Sequence, residues 1–401
     1  MANNLSSNIT RPLAKIFLEA FESSRVVTKT VNTQLLSGKF NPSTGTKVDF
    51  KRPHDYNSIR STGGDISAAA KSDIIAGKAT GTVQPYFTSA TEWSNIQEAL
   101  ELDQLDQILE PMARRLVTDL ELDLAKFMRI NTGLNYGARG TAVDAWSDVA
   151  GAGAMMDSVG VPMSDNKYYL MNPFTTTALA SAQSGLNAAD GLVRTAFEKA
   201  QIASNFGGMK ALTSNALSSY TSGSTTDRSG DLKTAPDATY VTAKDTMQQT
   251  MVIETLGTGT IEAGDQIQIA GVNRLNIATR QLILDATGAA VPWTGTVLSV
   301  VTIAGNEATV VVSGAAIFEA NGQYNNVDAA PAAGAVVTIL GAAGAVYQPN
   351  LFYTEQAFGL GTVKLPKLYS TDTVATTSDG MSIRVSKYSD GDANTQKIRF
   401  D

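Results

Sequence analysis

The chain has 401 residues, 38 acidic and 31 basic, with a formal net charge of -7, 43% hydrophobic and 17% charged residues. That length holds two or three ordinary domains, the charged share is below the roughly 25% of a typical chain, and the acidic balance argues against a generally basic nucleic-acid binder. With no cysteine and one histidine, His54, disulfides, zinc–thiolate sites, cysteine nucleophiles and multi-histidine metal sites are excluded within one chain.

The first residues, Met1-Ala2-Asn3-Asn4-Leu5, lack the charged and apolar regions of a signal peptide. No apolar run reaches the roughly 18 residues of a membrane span. Synthesis in the cytoplasm and no membrane partner are expected. Residues 1–10 read as a polar arm. From Arg11 to Arg25, Leu13, Ile16, Phe17, Ala20 and Phe21 mark a short amphipathic helix, with Thr10 as cap and Pro12 in the first turn. Its apolar face must dock elsewhere in the fold or on another chain.

From Gly38 to Ala90 the pattern becomes extended. Lys47–Arg52 and Ala79–Phe87 alternate like strands around a polar tip, a hairpin that is marginal alone and must lean on something. The segment is also basic, through Lys39, Lys47, Lys51, Arg52, Arg60, Lys71 and Lys78. From Thr91 to Arg129, apolar residues recur every three or four positions, from Trp93, Ile96 and Leu100 through Leu116, Leu120, Leu124 and Phe127. That spacing predicts one long helix, capped by Thr91, stopped near Gly133, bent by Pro111 and roughly 55–60 Å long. Its first half carries only acidic charges, Glu92, Glu98, Glu101, Asp103, Asp106 and Glu110. A basic hairpin beside an acidic helix invites pairing within a chain or between neighbours. Ordinary solvated faces would look the same in sequence, and single exposed pairs contribute only about 0–1 kcal/mol.

Residues 133–220 read as an α/β unit. Helices are expected at Val143–Val159, Phe174–Gln183 and Leu192–Ile202. A buried strand, Lys167–Met171, is stopped by Asn172-Pro173, and a second strand is entered from Gly207. The Ser/Thr/Gly-rich stretch Thr213–Asp231 marks a boundary. Thereafter the chain is nearly pure β, with strands at Thr250–Glu254, Asp265–Ile269, Thr296–Val301, Ala308–Val312 and Ala335–Leu340, as in a small barrel or sandwich. A mixed pattern resumes at Leu351, and strands at Ser382–Ser386 and Gln396–Phe400 follow. The fold class is α+β with an inserted β domain.

Candidate chemistry is thin. Gly151-Ala152-Gly153 lacks the third glycine of a dinucleotide fingerprint, and no nucleophile elbow occurs. Asp103 and Asp106 share a helix side, but such rows are ordinarily surface. Asp390–Asn394 lacks the glutamate of a calcium loop and reads as a turn. His54 reads as a surface or interface residue, and Trp93, Trp146 and Trp293 as core or interface anchors. No catalytic, cofactor or metal residues are assigned.

The order of parts resembles the major capsid proteins of tailed bacteriophages, the Hong Kong 97-type fold, and the β insertion resembles that of podovirus coat proteins. Ala263–Val272 is similar to a recurring segment of their inserted barrel, and Lys167–Pro173 to their axial-domain strand. The resemblance implies an N-terminal arm and helix (1–37), an extended loop (38–90), a peripheral-domain spine helix (91–132) and an axial domain (133–230). The inserted β domain (231–346) and return strands (347–401) complete it. It further implies an icosahedral shell of hexamers and pentamers enclosing double-stranded DNA without sequence-specific binding, and residence in the virion. A scaffolding protein and portal are expected partners, and a decoration protein a further candidate. Inter-subunit contacts are expected at Lys47, Lys51, Arg52 and Arg60 on the loop, Glu98, Glu101 and Asp103 on the helix, and Asn273, Arg274 and Arg280 on the insertion. The rival class is an extracellular β-rich adhesin or surface-layer protein, and an enzyme comes third.

Overall fold

A computed structural model describes residues 15, 17–33, 45–85, 87–94, 105–184, 190–368, 372–378 and 380–401. The spine is the helix Leu105–Ile130, 26 residues, or about 39 Å at 1.5 Å per residue. Its apolar positions serve two separate cores. Ala113, Leu116 and Val117 pack with Phe17, Phe21, Ile383, Val385, Ile398 and Phe400, where the Phe17 and Phe400 rings stack at 4.0 Å. About two turns further on, Leu124, Ala125 and Met128 pack with Val27, Val31, Tyr168, Leu170, Leu351 and Tyr353.

The first core lies on a four-stranded sheet ordered Thr373–Thr376, Ser382–Asp390, Thr395–Phe400, Ser89–Ser94. Ser89–Ser94 corrects the expected helix start. It runs antiparallel to Thr395–Phe400, with Thr91 opposite Ile398 and Trp93 opposite Gln396. Thr91 and Trp93 favour extended backbone, and the edge offered by the far C-terminal strand supplies the partner that a helical reading ignores. The expected Asp390–Asn394 turn is present: Asp390 Oδ1 accepts from the Asp392 and Ala393 amides at 3.1 and 3.3 Å. Buried Asp401 receives the Arg384 guanidinium, with Arg399 Nε at 2.6 Å and the Thr88 hydroxyl at 2.6 Å.

The second core lies on a sheet ordered Leu351–Thr354, Lys167–Met171, Met209–Thr213, Asn205–Phe206. Lys167–Met171 is buried along its whole length, because helices cover both faces. On the far side, Val149, Ala152, Met156, Leu179 and Met209 form another cluster with Tyr169 and Met171. Asn172 caps the helix Pro173–Ser184, its Oδ1 accepting from Thr175 N at 2.8 Å, and Pro173 takes the first turn, where no amide is needed.

The insertion is a closed barrel. Its strands are, in order, Gln266–Asn273, Pro292–Val297, Ala308–Ser313, Gln248–Glu254, Ser229–Leu232 and Val336–Ile339. Alternate residues point inward, as in Ala308, Val310 and Val312. Trp293 is fully buried at the centre, with Nε1 donating to Gly314 O at 2.9 Å. A Cβ on Gly295 would lie 2.6 Å from that indole ring, so the barrel needs glycine there. The expected strand at Thr296–Val301 is displaced to Pro292–Val297, because the residues from Pro292 to Val297 are the ones that find partners in Gln266–Asn273 and Ala308–Ser313.

Truncating Ile253, fully buried in the barrel, is expected to cost about 2–5 kcal/mol as Ile253→Ala and about 0.5–1.5 kcal/mol as Ile253→Val. Urea denaturation of the full chain followed by circular dichroism measures both. Equal losses would contradict tight packing at this site. At Asp401, burial pushes the carboxyl pKa up, but hydrogen bonds from Thr88, Arg384 and Arg399 hold it below the ordinary 3.8. A depressed folded pKa gives stability that is present above the ordinary value and lost as pH falls through the folded one. The stability gap between the native chain and Asp401→Asn should therefore close on acidification below about pH 4, as read by pH-dependent denaturation midpoints.

Candidate assembly surfaces

Lys47–Lys51 and Lys78–Thr82 form the two-stranded hairpin, antiparallel, with Lys51 opposite Lys78. Like charges facing each other across strands are unfavourable. The conflict is relieved on one side only. Lys78 Nζ reaches Asp49 Oδ2 at 2.9 Å, and Thr80 Oγ1 donates to Asp49 Oδ1 at 2.6 Å. Hydrogen bonding from Thr80, then Lys78, lowers the Asp49 pKa. Lys47, Lys51 and Arg60 stay exposed, while Arg52 Nε donates to Lys78 O at 3.1 Å. Val48 is the buried side chain of these strands, and Tyr56, Ile66 and Ile74 are exposed further along, Ile74 at 77%.

The base of this excursion leans on the barrel. Ile75 packs with Tyr240, Ala315 and Ile317, and Tyr240 stacks on Tyr324 at 3.7 Å. Gln323 Nε2 donates to Asp73 O at 2.6 Å, Asn57 Nδ2 to Asn321 O at 2.8 Å, and Lys78 N to Asp245 Oδ1 at 3.2 Å. Arg280 forms an ion pair with Asp55 and donates to the Gln323 and Asn325 carbonyls. This docking was invisible in the sequence, since Asp55 and Arg280 lie 225 positions apart.

The three insertion residues expected at subunit contacts are engaged within the chain. Asn273 bonds Asp328 through its amide nitrogen and its side chain, both at 2.8 Å. Arg274 is engaged more deeply. It is buried, it donates to Gly133 O and to Thr294 O and Oγ1 at 2.9 Å, and burial lowers its pKa to about 10. It fixes the barrel to the segment just after the spine helix, because the Gly133 carbonyl projects there without a helical partner. Arg280 holds the hairpin base, as above. Glu98, Glu101 and Asp103 lie outside the described residues. The acidic helix face is partly matched internally: Arg115 pairs with Asp119 at 3.1 Å, and Arg114 with Glu110. His54 and Trp146 are exposed, and Trp293 is core.

The barrel's neck is drawn together by a buried carboxylate. Asp265 accepts from Ser222 Oγ at 2.8 Å, Gly223 N at 2.9 Å and Glu262 N at 3.0 Å. Arg228 donates to Gly341 O at 3.0 Å, Leu340 O at 3.1 Å and Ser222 Oγ at 2.8 Å. It thus joins the segments entering and leaving the barrel. Among the described residues, no group of three or more His, Asp or Glu could hold a metal ion. No helix among the described residues is long and apolar enough to cross a membrane.

The family model described as P22 coat protein, gene protein 5, matches residues 1–401. The chain belongs to the P22 coat protein family. A major capsid protein of Acyrthosiphon pisum secondary endosymbiont phage 1 is 47% identical over 406 residues, covering all of this chain and 95% of the relative. Among solved structures, one from Mycobacterium phage Che8 has TM-score 0.36 and 15% identity, covering 72% of this chain and 87% of its own. A virus-like particle protein from Pyrococcus furiosus has TM-score 0.30 and 9% identity, covering 84% and 97%. These overlaps are loose, and the assignment rests on the sequence matches. As a P22-type coat protein, the chain has a structural role in a multi-copy shell of the virion and is not an enzyme. The adhesin and enzyme readings are thereby set aside.

Arg280→Ala should loosen the hairpin base by about 1–3 kcal/mol, the scale of a charge-assisted hydrogen bond. Hydrogen exchange at residues 73–78 reads this, while barrel amides keep their protection. Asp55→Ala should act non-additively with it. Additive effects would show that the pair does not couple loop to barrel.

Proposed function

We propose that this coat protein builds a closed icosahedral shell of hexamers and pentamers around double-stranded DNA, with its hairpin lying over a neighbouring copy. In this reading the fold is of the Hong Kong 97 type. The spine helix and the C-terminal sheet form the peripheral domain, the mixed sheet of Lys167–Met171 forms the axial domain, and the barrel is the insertion domain. The observation that carries it is the hairpin itself. Its base is anchored on the barrel, yet Lys47, Lys51 and Arg60 are presented to solvent, and Lys51 faces a lysine whose charge is already matched by Asp49. A two-stranded ribbon held at one end is stabilised by laying its free length on another surface. The partner surface is the acidic start of a neighbour's spine segment, Glu98, Glu101 and Asp103. Asn273 and Arg274 act indirectly, by fixing the barrel from which the loop springs, and Arg280 by holding the loop's base. Scaffolding protein and portal direct assembly after synthesis in the host cytoplasm. A decoration protein is a further candidate partner. The net charge of -7 suits a shell that confines DNA without gripping it by sequence.

The test replaces Lys51 and Arg52 together by Glu in the full chain, co-expressed with its scaffolding protein. Negative-stain microscopy and sedimentation should show closed shells for the native chain and a loss of shells, strongest at low salt, for the variant, with unchanged circular dichroism. Undiminished assembly of the variant at low salt would remove the hairpin pairing. Open sheets or tubes from the native chain would remove the closed icosahedral shell.

A further inference from the structure

The neck holds more positive charge than the described residues balance. Arg129 lies in the last turn of the spine helix, Arg139 on the loop that follows it, and Arg228 on the segment entering the barrel. The carboxylate acting on all three is Asp265, a single negative charge that accepts from Ser222, Gly223 and Glu262 and lies 3.9 Å from Arg228. Arg228 is well bonded to carbonyls, and the other two are not. Arg139 donates once, to Gly264 O at 3.2 Å.

Four buried polar atoms in this place have no hydrogen-bond partner among the described residues: Arg129 Nε and Nη1, Arg139 Nε and Tyr220 Oη. The guanidinium nitrogens can only donate, and the phenol is a donor too. They gather around one ring. The Arg129 guanidinium carbon lies 4.4 Å from the Tyr220 ring centre and that of Arg139 5.4 Å, with Tyr347 5.8 Å from Arg139. The ring faces give partial compensation to the cations but accept no conventional hydrogen bond. Burial depresses all three arginines, Arg139 to about 10. Unpaired buried donors of one sign, around an excess of cations, call for an acceptor carrying negative charge. A water molecule would satisfy donors and leave the charge. Gly264 lets Arg129 come close, since a Cβ there would lie 2.5 Å from Arg129 Nη1.

We propose that the neck between spine helix and barrel binds a small inorganic anion of chloride's size and charge, received by Arg129, Arg139 and the Tyr220 hydroxyl. The bound ion joins the helix end, the loop and the strand Tyr220–Thr221, and so sets how firmly the barrel is held to the rest of the subunit.

The experiment uses the full chain and sodium chloride, with gluconate replacing chloride at constant ionic strength. Chloride NMR should show line broadening that bromide competes away. The thermal midpoint should rise with chloride and saturate, as mass action requires. In Arg139→Gln the apparent affinity should fall about tenfold or more, while Arg194→Gln, on an exposed helix face, should keep the native response. If Arg139→Gln does not fold, Tyr220→Phe and Arg129→Met take its place, with the same weakening expected. Absence of broadening in the native chain, or an equal chloride response in neck and surface variants, would overturn the site and leave ordered water as its occupant.

Discussion

One helix forms a wall of two hydrophobic cores, and most of the structure follows from that sharing. Leu105–Ile130 gives Ala113, Leu116 and Val117 to one core and Leu124, Ala125 and Met128 to the other. Each fully buried large side chain contributes about 1.5–3 kcal/mol, so neither sheet can detach without exposing part of the same helix. The N-terminal segment is fastened to this wall by chemistry as well as packing. Buried Glu121 accepts from the Val26 amide and, at 3.4 Å, from Thr28 N, while Phe17 and Phe21 fill the first core. The helix terminus then passes the load onward, because the Gly133 carbonyl just beyond it receives both Arg274 and the Thr294 hydroxyl of the barrel.

The barrel solves a different problem. A sheet with open edges invites unwanted pairing, and closure removes the edges. Its interior of Ile253, Ile267, Trp293, Val310 and Val337 is complete in itself. Its outside can therefore act as a support, and the hairpin base rests there through Ile75, Tyr240 and Arg280. A chain with few charged residues places many of its polar contacts in Asn, Gln, Ser and Thr side chains, as at Gln323, Asn57 and Ser222.

What was legible in the sequence was local. Alternation exposed most barrel strands, a continuous apolar run exposed Lys167–Met171, and Asn172-Pro173 showed where it stops and a helix begins. What was hidden depended on distant partners. Trp93 and Ile96 fit a helical spacing, yet Ser89–Ser94 is claimed by Thr395–Phe400, some 300 positions away. Arg274 lies 141 positions from Gly133, and only the fold brings the two together. The basic hairpin suggested an acidic partner, but Lys78 is matched within it by Asp49, and the base is held by the loop's own Asp55 against Arg280 of the barrel. The position of the strand at Pro292–Val297 is likewise set by its pairing with Gln266–Asn273 and Ala308–Ser313.

The neck has a further consequence. Tyr220–Thr221 pairs with Val346–Tyr347, so the chain leaves for the barrel and returns at the same place. Well over a hundred residues are thus inserted across a gap that two strands already bridge, and the host sheets register little of the excursion's length. Closure cost grows only slowly with the number of residues in a loop, and here the ends are pinned before the loop begins. The insertion point thus works as a socket: the two paired strands hold the ends, and the two-core host beneath keeps its packing independently of what is plugged in.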